Sequence, residues 1–85
     1  MKVLVPSPLR SYTGASEVDA QGATLAEVLA DLDRRHPGLR FRIVDEQDRM
    51  RPHVRFFVNG WQEFDLVRRL APGDSVQIVQ ALSGG

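Results

Sequence analysis

Apolar residues fall along this chain in short alternating runs, broken once by a stretch with helical spacing. Val3-Leu4-Val5 is β-branched and apolar and stops at Pro6, which predicts an opening strand. Pro6-Ser7-Pro8 and Thr13-Gly14 mark a turn or loop. Residues 16–21 alternate through Val18 and Ala20 and predict an edge strand that Gly22 ends. Thr24-Leu25-Ala26-Glu27 then fits a capping box, with a hydroxyl for an early backbone N–H and a glutamate three residues on to reach back. Leu25, Val28, Leu29 and Leu32 follow at i, i+3, i+4 and i+7, one buried helical stripe. Glu27, Asp31, Asp33, Arg34 and Arg35 form the solvated face, and Pro37-Gly38 stops the helix, predicted over residues 24–35.

Residues 39–44 read equally as a helix end or a short strand. Residues 45–52 are charged and irregular, an exposed loop. Val54–Val58 alternates as a strand, and Asn59-Gly60 suits the positive φ angles of a two-residue hairpin. Residues 61–64 predict a short returning strand. Ala71-Pro72-Gly73-Asp74 reads as a tight turn, with Pro72 presetting φ and Gly73 in the permissive position. Residues 76–80 form a last strand, and 81–85 a tail. The expected fold is α+β: a mixed four- to five-stranded sheet with one main helix on one face, over residues 1–80. The helical stripe is expected to pack on Val3, Val5, Val54, Phe56, Val58, Val76 and Ile78.

Length and charge narrow the function. Eighty-five residues make one domain with a modest core. That leaves little room for a pocket holding both an acid and a base, so a self-sufficient enzyme is not expected. Lys plus Arg and Asp plus Glu are both 11, so no global field draws the chain to nucleic acid or an anionic membrane. No cysteine is present, which excludes disulfides, thiolate catalysis and thiolate metal sites. If sulfur chemistry takes place here, the reactive sulfur must come from outside the chain. The apolar N-terminal run is too short for a signal peptide, and no segment reaches the ~20 apolar residues of a membrane span. A cytoplasmic location is expected.

Few side chains offer chemistry of their own. His36 and His53 lack the further ligands a metal site requires. Asp45, Glu46 and Asp48 lack the spacing of a calcium loop. No glycine-rich phosphate pattern occurs, and no Ser/His/Asp set can be assigned. Arg40, Arg42, Arg49, Arg51 and Arg55 lie near Phe56 and Phe57, a pairing that could be read as an RNA surface. The neutral total charge argues against it, and alternation places Phe56 in the core with Val54 and Val58. Docking to a protein partner suits some of these arginines better.

The ending carries the strongest signal. A final central strand runs into Leu82-Ser83-Gly84-Gly85 behind a Pro-Gly-Asp turn. The opening strand, the helix from Thr24 to Leu29, Val58-Asn59-Gly60, Leu70-Ala71-Pro72-Gly73-Asp74-Ser75-Val76 and the terminal glycines occur in one order along nearly the whole chain. This order resembles the β-grasp fold of ubiquitin, and more closely the MoaD/ThiS family of sulfur carriers. The Thr13-Gly14 loop and residues 52–59 are most similar to carriers of the cysteine-synthesis type.

The resemblance implies a mechanism and its partners. An ATP-dependent adenylating enzyme, using Mg, takes in the tail, and the Gly85 carboxylate becomes an acyl-adenylate. A sulfur donor protein converts it to a thiocarboxylate. A sulfur-accepting biosynthetic enzyme, for molybdopterin, thiamine, cysteine or a related product, then removes the sulfur. The chain itself binds no cofactor and supplies no catalytic side chain. Glycines at 84 and 85 remove the Cβ atoms that a narrow channel would exclude, and the terminal carboxylate is ionised at neutral pH. The same tail would serve a protein modifier joined through Gly85 to a lysine, and a passive β-grasp interaction module is the third reading. Alternation, with the implied strand order, also places Leu4, Val79 and Phe57 in an apolar row on the helix-free face, leading toward Ala81 and Leu82. Loop residues or Trp61 would be the groups to cover it.

Overall fold

The computed structural model describes residues 1–81. Five strands form one sheet in the order β2-β1-β5-β3-β4. They are β1 (Lys2–Leu4), β2 (Glu17–Asp19), β3 (Val54–Val58), β4 (Trp61–Glu63) and β5 (Ser75–Gln80). β5 is central, parallel to β1 and antiparallel to β3. Helix α2 (Leu25–Arg35) covers one face. This mixed sheet with one main helix is the expected β-grasp arrangement.

Alternation builds the core. Val3 stands beside Val76, which stands beside Val58, and Ile78 stands beside Phe56. All five are buried, as are Val5 and Val54, against the Leu25, Val28, Leu29 and Leu32 stripe. Every residue of the expected core is therefore in place. Burying a leucine or valine side chain is worth ~1.5–3 kcal/mol, so this stripe is what fastens α2 to the sheet.

Local chemistry sets the ends of α2. The Thr24 hydroxyl accepts from the Glu27 N–H at 3.2 Å. The Glu27 carboxylate reaches back one residue further than a capping box requires, to the Ala23 N–H at 3.2 Å. Gly22 lies so close to the first turn that a Cβ there would stand 2.6 Å from the Val28 nitrogen. A glycine is needed there because the helix backbone occupies the space of a side chain; the strand expected over residues 16–21 has already ended at Asp19.

Three segments differ from, or resolve, the expectation. Residues 39–44 take the helical option, as α3 (Leu39–Ile43). Gly38, at φ 93°, turns the chain, and the Asp33 carboxylate accepts from the Gly38 and Arg40 N–H groups at 3.1 and 3.2 Å. Leu39 and Ile43, one turn apart, are then both buried. The stretch expected as a plain loop after Pro6 coils into a 3-10 turn (Ser7–Leu9) and helix α1 (Arg10–Thr13), which Gly14 closes at φ 71°. Proline in the first turn and the burial of Leu9 account for the coiling. Finally, Gly73 is not among the positive-φ glycines. The turn closes through the Asp74 N–H to Ala71 O at 2.9 Å and the Asp74 carboxylate to the Ala71 N–H at 2.8 Å. The aspartate, rather than a left-handed glycine, locks it.

Candidate functional site

The end of β5 is where the fold delivers the chain's C-terminal segment. Its ladder with β3 runs from Val58–Val76 to Val54–Gln80. One further bond follows, from the Ala81 N–H to His53 O at 2.8 Å. The tail is thus rooted in the central strand, which β1 holds as far as Gln77 and β3 holds on to Gln80, so its starting point is fixed by the β3 side of the sheet. Leu82, Ser83, Gly84 and Gly85, the tail residues singled out from sequence, lie outside the described residues.

The helix-free face leads to this root. Leu4, Phe57 and Val79 all lie on it, each half-buried, while their chain neighbours Val3, Val5, Phe56, Val58 and Ile78 point into the core. The register changes the expected row. Leu4 and Phe57 both stand opposite Gln77, so Gln77 lies between them. Val79 lies two residues nearer the tail, opposite Arg55. The three apolar residues therefore form a triangle around Gln77 rather than a line. Trp61 does not cover it: it pairs with Val58, on the helix side of the sheet, and is 79% exposed. Phe64 and Val67, 74% and 69% exposed, follow it at the β4 edge. Among the described residues the most exposed apolar side chains are there, a patch that strand alternation gave no reason to expect.

Charge at the root has a distinct pattern. Arg42 and Arg51 line a hollow beside Gln80 together with His53, Phe41 and Pro8. A second hollow, between Leu4, Pro6, Val79 and Gln80, is lined by Arg10. Arg42, Arg51 and Arg55 belong to the arginine cluster visible in the sequence. Arg10 lies more than thirty residues before them and carries no sequence signal of its proximity. Arg40 and Arg49 of that cluster turn away into ion pairs with Asp48 and Asp45. The Gln80 Oε1 atom is buried at the root without a hydrogen-bond partner among the described residues.

Titration is perturbed elsewhere. The Ala71 N–H, and then the Asn59 amide, hold the Asp74 carboxyl below its ordinary value. The Gln21 N–H and the Arg34 guanidinium do the same for Asp31. The Arg49 N–H, followed by that of Gln47, lowers Asp45. Each is a carboxylate tying a loop or helix, and none lines either hollow at the root.

Comparison with known proteins fits this geometry. The ThiS family model matches residues 3–85, the tail included. A sulfur carrier protein, CysO, of Mycobacterium tuberculosis is 35% identical over 98% of this chain and 96% of its own length. Among solved structures, a chain of the BexX/CysO complex from Amycolatopsis orientalis superposes with a TM-score of 0.90. It is 32% identical, covering 99% of this chain and 98% of that one. The small archaeal modifier protein SAMP1 of Haloferax volcanii has a TM-score of 0.82 at 27% identity, covering 100% of this chain and 98% of that one.

Proposed function

The chain belongs to the ThiS family, and on that premise we propose that it is a sulfur carrier whose working atom is the C-terminal carboxyl of Gly85. The observation that carries the proposal is the span of the likeness: it runs through the whole domain and on to residue 85. A carrier of this kind is a co-substrate, acted on by partner enzymes rather than acting itself.

An oxygen of the Gly85 carboxylate attacks the α-phosphorus of ATP, and the bond to the leaving pyrophosphate breaks. The product is an acyl-adenylate on the chain. A sulfur nucleophile then attacks the acyl carbon, and the bond to AMP breaks. With sulfide the thiocarboxylate forms directly; with a persulfide donor a second thiol must cleave the S–S bond. The ATP, its Mg ion and the acid-base groups belong to the activating enzyme. This chain's part is to present an unhindered tail from a rigid root, and to offer Leu4, Phe57 and Val79 for docking. Side-chain-free glycines let a partner close on the carbonyl from several directions. A rigid root limits the volume the tail explores and so raises the fraction of encounters that present it.

Intact mass after incubation with candidate activating enzymes, ATP and sulfide tests the reading. The expected product is heavier by the difference between sulfur and oxygen, and its formation requires ATP. Failure of every activating enzyme encoded beside the gene to produce it would count against a carrier. The likeness to SAMP1, a modifier by name, supports a second reading, conjugation through Gly85 to lysines. Conjugates that persist on target proteins, in place of a free thiocarboxylate, would favour it.

A further inference from the structure

The root of the tail is surrounded by arginines that the fold holds still without pairing them to a carboxylate among the described residues. Arg34, Arg35, Arg40, Arg49 and Arg68 are bound to carboxylates. Among the described residues Arg10, Arg42, Arg51, Arg55 and Arg69 are not. Four of these five stand at the Gln80 end of β5: Arg10 in one hollow, Arg42 and Arg51 in the other, and Arg55 opposite Val79. Neither hollow is lined by a carboxylate among the described residues. Asp45 feels the charge of Arg51, but it is already bridged to Arg49. A formal net charge of +0 thus conceals a local positive excess.

The way these side chains are held matters as much as their charge. The Arg10 Nε donates to Val5 O at 3.1 Å, the Arg42 Nε to the Tyr12 hydroxyl at 2.8 Å, and the Arg51 Nε to Phe41 O at 2.7 Å. The Arg51 guanidinium also lies 4.6 Å from the Phe41 ring centroid, and that of Arg42 lies 5.9 Å from the Tyr12 ring centroid. Their terminal Nη groups make no hydrogen bond among the described residues. A guanidinium fixed through Nε keeps its end-on pair of N–H donors free, and that pair matches the two oxygens of a carboxylate. Binding normally costs the ordering of such long side chains; here the fold has already ordered them.

We propose that Arg10, Arg42, Arg51 and Arg55 form a docking collar for an acidic rim on a partner protein, with carboxylates set around the mouth of the channel that admits the tail. The position of that rim rests on the carrier reading, since only a tail that enters a partner brings the partner's channel mouth against its root. Nucleic acid is also anionic, but the neutral total charge gives it no general attraction. Of the rings beside the collar, Tyr12 and Phe41 each already carry a guanidinium over one face, from Arg42 and Arg51; Phe41 keeps 55% of its surface exposed, and an oligonucleotide is therefore the competing ligand in the test. Opposed charges in such positions govern the rate and orientation of encounter, and their effect falls with salt.

Two measurements on the full chain test the collar. In the first, ¹⁵N-labelled protein is titrated with a glutamate-rich peptide, and separately with a single-stranded oligonucleotide of equal charge, at low and high salt. The peptide is expected to shift amides at and beside Arg10, Arg42, Arg51 and Arg55, less so at high salt. Combining Arg42→Glu with Arg51→Glu should remove those shifts, whereas Arg69→Glu, at the other end of β5, should retain them. Shifts centred elsewhere, or tighter binding of the oligonucleotide, would overturn the proposal. In the second, the combined variant is assayed for thiocarboxylate formation, where KM is expected to rise at least tenfold with kcat nearly kept. Arg55→Glu, whose guanidinium bonds only to nearby carbonyls, replaces it if its melting point falls. An unchanged KM would refute docking through the collar and leave the carrier reading intact. Absence of thiocarboxylate on the wild-type chain would count against the carrier reading, and the titration would still decide the collar.

Discussion

At its Ser75 end, β5 enters the sheet through a closed circuit of hydrogen bonds; at its Gln80 end it leaves with polar groups still unmatched among the described residues. Where it enters, the Asn59 amide donates to Asp74 at 2.9 Å and accepts from the Ser75 N–H at 2.9 Å. The Asn59 N–H donates to Ser75 O, and Asp74 closes the turn from Ala71. Where it leaves, one backbone bond to His53 ends the ladder, Gln80 Oε1 is unsatisfied among the described residues, and Arg10, Arg42 and Arg51 bond there through Nε alone. Groups matched within the chain specify the fold; groups held in place yet unmatched are available to something outside it. Changes at the two ends should therefore separate stability from transfer.

The sharpest separation is expected from deleting Gly85. Thiocarboxylate formation should be abolished while the melting curve stays where it was, because a terminal residue contributes little to packing. Unimpaired sulfur loading of the deletion would remove the functional half of the comparison. Leu29→Ala serves as the opposite extreme. It empties a fully buried position between the two ends, and denaturant unfolding should show a loss of about 2–5 kcal/mol.

Asn59→Ala probes the entry end alone. Asn59 stands at φ 51° in the hairpin turn, a conformation costing roughly 1–2 kcal/mol for a residue with an ordinary side chain. Stability should fall by about that amount, with KM for the activating enzyme unchanged; a raised KM would blur the division. Phe57→Asp probes the face that leads to the exit. The domain should stay folded by circular dichroism while calorimetry shows at least tenfold weaker binding to the activating enzyme, or ~1.4 kcal/mol. Equal affinity would shift attention to Trp61, Phe64 and Val67, the more exposed apolar patch.

The mildest effect is expected from acid. Asp74, Asp31 and Asp45 all have folded values held below the ordinary carboxylate range. Between the ordinary value and the lowered ones the unfolded chain binds more protons than the folded one, so stability falls as pH falls through that window. Their contribution should be complete above the ordinary carboxylate value and fade as pH drops through the lowered ones. Melting followed from neutral pH downward should therefore be flat at first and then decline. Asp74→Asn should weaken that decline more than Arg69→Glu does.

Much of the molecule is legible in the order of its residues. The α2 stripe, its Thr24 cap, Val54–Val58 and the Asn59-Gly60 turn depend on neighbours within a few positions. For them, local spacing and φ preference suffice, and the structure places them where the pattern does. Alternation also puts Leu4, Phe57 and Val79 on the helix-free face, and the tail is readable because two terminal glycines follow a strand. Tertiary structure decides what depends on distant partners. Leu39, Phe41 and Ile43 suit a strand as well as a helix, until Asp33 caps Gly38 and Arg40 and the core takes Leu39 and Ile43 from one side. Register places Gln77 between Leu4 and Phe57, which no single strand could specify. Arg10 stands at the tail root with Arg42 and Arg51 only because the sheet brings β1 beside β5, and a sequence read by local periodicity does not contain that distance.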